Sequence, residues 1–148
     1  MKIPFLIGRV LFGGFFLYNG INHFRQRPVM KAYAAAKGVP MPDAAVAVSG
    51  ALLVVGGASI LAGVKPKIGA AAIAGFLAGV SPIMHNFWKV EDSGQKMQDM
   101  INFSKNLALL GGTLALLSVT EPWPASLPVA QPGRMEGLWN EIRQRLAA

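Results

Sequence analysis

The sequence contains no cysteine and little charge of either sign. Without cysteine the chain can form no disulfide, thiolate metal site or dithiol redox couple of its own. Only 14% of its 148 residues are charged and 53% are hydrophobic, whereas soluble domains carry about 25% charged residues. The net charge of +7 belongs mainly to loops and the C-terminal tail, where it suits anionic lipid headgroups. No nucleic-acid-binding module accompanies it, so we expect a lipid bilayer as partner and no nucleic acid.

Four long windows are almost free of charge, and each has the length of a bilayer-spanning helix, about 20 residues. They are residues 3–24, 44–64, 68–88 and 101–119. An open sheet is excluded because lipid cannot satisfy its edge groups. Arg9 interrupts the first window, which favours a retained helix over a cleaved signal peptide. The sequence therefore predicts an all-α integral membrane four-helix bundle over residues 1–120.

The connections between these windows carry their own patterns. The 25–43 segment has an alanine-rich middle that predicts a short interfacial helix, with Asp43 as N-cap of the next helix. The polar 89–100 segment predicts an early start for the fourth spanning helix. Residues 121–133 are proline-rich and predict a semi-rigid spacer. Residues 134–148 predict a short amphipathic helix on the membrane surface, the alternative being a disordered end.

Polar residues gather at one side of the predicted bundle. Because successive helices alternate in direction, the C-terminal ends of the first and third spanning helices share a side with the N-terminal ends of the second and fourth. Asp43 and Ser49 of the second helix also fall there. The main candidates for a ligand-binding pocket are Asn19, Asn22, His23, Ser81, His85, Asn86, Asn102, Lys105 and Asn106. Ionisable residues at membrane depth are costly and favour a functional interpretation.

Three further residues are secondary candidates, and several have a plainer alternative. Arg9 and Phe16 continue the stripe of Asn19 and His23 along the first helix, and Phe87 follows His85. Histidines near helix ends can simply cap carbonyl groups, while Lys105 and Arg9 can extend to the interface. The pattern contains no metal-ligand set, and a haem held by the only two histidines is a minor alternative.

Several motifs together resemble the DoxX family of bacterial membrane proteins. They are GRVLFGGFFLYNGINHF (8–24), KGVPMP (37–42), SGALLVVGG (49–57), GVKPKIGA (63–70), MHNFW (84–88) and NFSKNLALLGG (102–112). The resemblance covers about residues 3–120. It implies a four-helix protein of the bacterial inner membrane, associated with quinone-coupled oxidoreductases. It supplies no agreed catalytic residues.

These observations lead to three function hypotheses. The first is an oxidoreductase-associated subunit whose pocket binds quinone or another small redox ligand, with electrons supplied by a partner protein. It would not be a complete enzyme alone and would hold no intrinsic cofactor. The second is a non-catalytic scaffold or accessory subunit that docks a partner enzyme or a second copy. The third is a small-solute transporter. The basic residues divide almost evenly between the two sides, with a slight preference for cytoplasmic termini.

Overall fold

The computed structural model describes residues 2–127 and 142–146, and the described part of the chain is helical throughout its regular structure. Four helices are long and apolar enough to cross a membrane, which confirms the predicted fold class. They are α1 (Lys2–Arg25), α3 (Pro42–Ala62), α4 (Pro66–Met84) and α5 (Ser93–Leu117). A shorter helix, α2 (Arg27–Ala36), lies in the 25–43 connection, where the alanine-rich segment predicts one.

Two helix boundaries differ from the apolar windows by more than two residues. Helix α4 ends at Met84, not at residue 88, and residues Phe87–Lys89 form a separate 3₁₀ turn. Helix α5 begins at Ser93, because the Asp92 side chain accepts a hydrogen bond from the Gln95 amide (2.7 Å) and caps the helix. His85 and Asn86 therefore lie in the break between the two helices.

The expected capping role of Asp43 is wrong. Pro42 occupies the first turn, where its fixed φ suits a helix start, so α3 begins one residue before Asp43. Met41 holds the N-cap position in a left-handed conformation and provides no side-chain cap. The Asp43 carboxylate instead forms a two-pronged ion pair with Arg27 at 2.7 and 3.0 Å. This pair ties the start of α2 to the start of α3.

Glycines bring α1 and α3 into close contact. A Cβ atom on Gly57 would lie 2.7 Å from the carbonyl oxygen of Gly13, and one on Gly20 would lie 2.9 Å from that of Gly50. No side chain fits in these spaces. Close backbone approach stabilises helix pairs in lipid, where the hydrophobic effect gives them no drive to associate. The pair α1 and α3 is thus the most closely packed part of the bundle.

Helix α5 is packed quite differently. Asp99 and Thr113 are its buried residues, while apolar side chains such as Leu107 and Leu114 are more than half exposed. Its extensive helix contact is with α4; α1 packs on α3, and α3 on α4. Among the described helices, α1 and α5 make no comparably extensive contact. The order α1, α3, α4, α5 leaves room between the first and last helices.

The chain after α5 folds back over one end of the bundle. Trp123 is 2% exposed and joins a core formed by α1, α3 and α4. Its ring meets Phe5 edge-on at 5.3 Å, and the Leu127 amide donates to the Ala62 carbonyl (2.9 Å). The predicted spacer begins at residue 121, and its part up to Leu127 is therefore packed against the bundle. Of the predicted 134–148 helix, residues 142–146 are helical and the rest lies outside the described residues.

Candidate functional site

A cavity of about 560 Å³ lies at the end of the bundle that carries both histidines, here called the histidine end. All five helices contribute to its wall, which is mostly aliphatic and aromatic. Its aromatic members are Phe15, Phe16, Tyr33 and Phe76. Its polar members are Asn19, His23, Gln26, Ser49, His85 and Asn106. The cavity thus combines apolar walls with a few polar groups, as small-molecule sites do.

Five of the residues selected from the sequence meet at this cavity. They are Asn19, His23 and Phe16 from α1, His85 from the end of α4, and Asn106 from α5. Phe16 is 2% exposed and His85 follows the last residue of its helix. The alternating helix directions place these side chains around one space, as the sequence predicts.

Other candidates lie outside this cavity. Lys105 is exposed, and Asn22 uses its amide oxygen to accept a hydrogen bond from Gln26 (3.0 Å). Asn86 and Asn102 are half-buried but do not line the wall.

Ser81 and Phe87 belong to a second, outer region between α4 and α5. Ser81 is buried, donates its hydroxyl proton to the Leu77 carbonyl, and lines a smaller apolar groove of about 290 Å³. Phe87 packs edge-on against Trp88 and Phe103, with ring centroids 5.1 and 5.6 Å away. Both residues therefore support the junction of α4 and α5.

Arg9 lies far from the cavity, at the opposite end of the bundle. It is 5% exposed and donates to the carbonyl oxygens of Pro124 (2.7 Å) and Ala125 (3.0 Å). It neither reaches the interface as a free side chain nor joins the polar pocket. Fourteen residues of helix separate it from His23, about 21 Å along the axis. Its observed role is to hold the segment that follows α5.

The sequence interpretation missed an ionic cluster beside the cavity. The Asp99 carboxylate, 1% exposed, accepts a hydrogen bond from the Lys37 ammonium at 2.9 Å. Its second oxygen lies 3.4 Å from Nδ1 of His85. Lys37 follows α2, His85 follows α4 and Asp99 lies in α5, so the cluster joins three elements. A buried carboxylate with two partners is also the main polar anchor of α5.

A signal for Asp99 was present in the sequence. It precedes Asn102 by three residues and Asn106 by seven, so it belongs to the same helical face. The sequence predicts an early start of this helix within 89–100 but not the residue at which it begins, so its polar face was not extended to Asp99. Lys37 carried no comparable signal, because its pairing depends on how α2 packs against a helix 62 residues later. The Lys37 ammonium also lies 5.9 Å from the ring centre of Tyr33, which lines the cavity.

The hydrogen bonds of the cavity residues leave several atoms available to a ligand. Nδ1 of His23 lies 2.8 Å from the Asn19 carbonyl oxygen, and the Asn19 amide nitrogen donates to the Phe15 carbonyl (2.7 Å). Ser49 donates to the Val46 carbonyl (3.1 Å). Nε2 of both histidines and the Asn106 amide have no partner among the described residues. This arrangement can hold a flat, mostly apolar molecule and orient its polar substituents.

Comparison with known proteins gives one result. The family model of DoxX matches residues 5–86, more than half of the chain. No curated protein and no solved structure matches the sequence. The matched range includes α1 to α4 and ends before α5, so it covers both histidines but neither Asp99 nor Asn106. With four helices able to cross a membrane and this match, the chain belongs to the DoxX family and is a multi-pass membrane protein.

Proposed function

We propose that this DoxX-family protein binds a quinone, or another small ring-shaped redox ligand, in the cavity at the histidine end. The observation that carries the proposal is the combination of a cavity of about 560 Å³, mostly apolar, with polar side-chain atoms that have no hydrogen-bond partner within residues 2–127 and 142–146. The volume falls within the range of about 300–1,000 Å³ that is common for small-molecule sites. The proposed role is that of a ligand-binding subunit in a membrane oxidoreductase.

The walls suit a flat ring with a lipophilic tail. Phe16 and Phe76 provide aromatic surfaces within the bundle, and aromatic rings favour offset or edge-on contacts with another ring. The side chains of His23, His85 and Asn106 line the space and can meet ring oxygens. The apolar remainder can hold the first part of an isoprenoid tail.

Access from the bilayer supports a lipid-soluble ligand. The cavity is partly open, and its wall includes exposed residues such as Phe15 and Ile83 on membrane-spanning helices. Helices α1 and α5 are not packed extensively against each other in the described part of the chain. A ligand dissolved in lipid can therefore enter from the side without crossing water.

Electron transfer requires a second protein in this proposal. The chain has no cysteine and hence no thiol chemistry of its own. Its polar cavity residues can bind a ligand and exchange protons, as histidine does near neutral pH, but they carry no electrons. The proposal therefore includes a partner subunit that reduces or oxidises the bound ligand. It also places the protein in a bacterial cytoplasmic membrane, with the chain termini on the cytoplasmic side.

The cavity can be filled by substitution without disturbing the fold. Gly79 lines the cavity, and a Cβ added there would meet no atom within 4 Å. Gly75, one turn earlier on α4, is equally open but does not line the cavity. Gly79→Leu should occupy the ligand space, whereas Gly75→Leu provides a matched control on the same helix.

The test is equilibrium binding of short-chain ubiquinone and menaquinone analogues to the purified protein in lipid nanodiscs. We expect saturable binding by the natural protein and by Gly75→Leu, and at least about tenfold weaker binding by Gly79→Leu. Absence of saturable binding by the natural protein would reject the proposal and favour the scaffold hypothesis. Equal binding by both variants would place the ligand outside this cavity.

A further inference from the structure

We infer that the cavity binds its ligand in the reduced, dihydroxy form in preference to the quinone form. This inference rests on the proposed function and adds the chemical state of the ligand. It follows from which donors and acceptors of the cavity residues already form hydrogen bonds within the protein. A hydroquinone presents two O–H donors, whereas a quinone presents only carbonyl acceptors, so the two forms need opposite partners.

The orientation of His23 is set by its own helix. Nδ1 lies 2.8 Å from the Asn19 carbonyl oxygen, and a carbonyl oxygen can only accept a hydrogen bond. Nδ1 must therefore carry the proton. In the neutral ring this leaves Nε2 as an acceptor, and Nε2 has no partner among the described residues.

The ionic cluster gives His85 the same orientation. The Asp99 carboxylate is held by Lys37, so it is an acceptor, and Nδ1 of His85 donates to it across 3.4 Å. In the neutral ring this leaves Nε2 of His85 without a proton. Nε2 of His85 is then a second acceptor.

Two other cavity groups already use some or all of their donors. The Asn19 amide nitrogen donates one of its two protons to the Phe15 carbonyl, and its amide oxygen has no partner among the described residues. Ser49 donates its one hydroxyl proton to Val46 and keeps only acceptor capacity. Asn106, Gln26, Tyr33 and the second amide N–H of Asn19 can still donate, so the discrimination rests on the two histidine Nε2 atoms.

Two histidine acceptors that line the site discriminate against a ligand without donors, because a bound ligand would take their water and give them no partner. Both histidine Nε2 atoms can accept from the hydroxyl groups of a hydroquinone. Against a quinone carbonyl they would present lone pair to lone pair. In this scheme Asp99 and Lys37 are positioning residues, since they act on the ligand through the orientation of His85.

Asp99→Asn provides a specific test of the orientation. The Lys37 ammonium can only donate, so it should attract the amide oxygen of the new residue and leave the amide nitrogen facing His85. That nitrogen is a donor, so Nδ1 of His85 becomes the acceptor and the proton moves to Nε2. In a buried aspartate–histidine pair, replacing the aspartate by asparagine changes which ring nitrogen of the histidine carries the proton. Asp92→Asn, at the cap of the same helix and outside the cavity, is the matched control.

The experiment compares decyl-ubiquinol with decyl-ubiquinone, both bound anaerobically to the full chain in nanodiscs. We expect ubiquinol to bind about tenfold more tightly or better in the natural protein and in Asp92→Asn. The ratio of the two affinities should fall by about tenfold in Asp99→Asn. A purely structural role for Asp99 would weaken both ligands equally and leave the ratio unchanged, which would overturn the positioning role.

A second measurement does not depend on the folding of the variant. Nitrogen-15 NMR of the histidine rings in the natural protein should show Nδ1 protonated and Nε2 unprotonated in both residues. Protonated Nε2 in the ligand-free protein would overturn the inference. Tighter or equal binding of the quinone would also overturn it, while leaving the proposed quinone site intact. If neither form bound saturably, the proposed function itself would fail.

Discussion

The two ends of the bundle differ in what surrounds the polar side chains of α1. At the end that carries Arg9 and Trp123, here called the closed end, the arginine is bound by the carbonyl oxygens of Pro124 and Ala125. A tryptophan fills the remaining core space. At the histidine end, a cavity remains and the outer nitrogens of His23 and His85 have no partner among the described residues.

This difference separates polar side chains that stabilise the fold from those that are available to a ligand. Arg9 and His23 belong to one polar stripe of α1, yet their roles differ. The position of a polar residue on a membrane helix therefore does not show its role. The structure distinguishes Arg9 and His23 by their surroundings. Arg9 binds backbone groups that are fixed by the fold, whereas His23 faces a space large enough for a ligand. Polar side chains that remain available beside a cavity are the stronger indication of a site.

The largest effect is expected from breaking the closed end. Trp123→Ala removes a ring that is 2% exposed and packs against Phe5, so it should lower the free energy of unfolding by about 3–5 kcal/mol. Denaturant or thermal unfolding in a fixed detergent measures this. Ligand affinity of the folded fraction should change by less than about threefold, since the cavity lies at the other end. A selective loss of binding with normal stability would contradict the division between the two ends.

A smaller loss of stability is expected from removing the ionic anchor of the histidine end. Asp99→Ala leaves Lys37 without its partner and releases the buried polar contact of α5. Loss of one member of a buried pair costs about 3–5 kcal/mol, but the Lys37 side chain is 18% exposed and can turn outward. We therefore expect about 2 kcal/mol, measured by the same unfolding assay.

The double variant Lys37→Met with Asp99→Ala is the control for that loss. It removes both charges and should recover part of the stability, because no unpaired charge then remains. Equal stability of the single and double variants would show that the ion pair contributes little to holding α5.

The smallest expected effect is a change in ligand affinity that distinguishes two asparagines of α5. Asn106 lines the cavity and Asn102, one turn earlier, does not. Asn106→Ala should weaken ligand binding by about fivefold to tenfold, the value of one neutral hydrogen bond, with little change in stability. Asn102→Ala should leave the affinity unchanged. Similar losses in both variants, measured by ligand titration in nanodiscs, would argue against the cavity as the binding site.

The sequence was sufficient for the helices and for the convergence of the main polar groups. Apolar windows of bilayer length identified the spanning helices, and their alternating direction brought Asn19, His23, His85 and Asn106 to one side. It was not sufficient for partners that depend on tertiary folding. Arg9 binds carbonyl groups more than one hundred residues away, and backbone acceptors carry no side-chain signature. The pairing of Lys37 with Asp99 likewise needed the packed positions of α2 and α5.

The early start of α5 explains the main omission. The polar 89–100 segment predicts an early start for this helix but not its first residue, and the Asp92 cap sets that start at Ser93. Asp99 then lies in the second turn, where it is covered by the ends of α2 and α4. Only when the first residue of α5 is known can Asp99 be assigned to the same helical face as Asn102 and Asn106.

Photoaffinity labelling tests the central claim most directly, because it locates the ligand at one end of the bundle or the other. An azido-quinone would be bound to the protein in membranes, activated by light, and its attachment sites mapped by mass spectrometry. We predict labelling at cavity residues around His23, His85 or Asn106 that excess ubiquinol suppresses. Suppressible labelling around Arg9 and Trp123, or none at either end, would contradict the assignment of the histidine end as the ligand site.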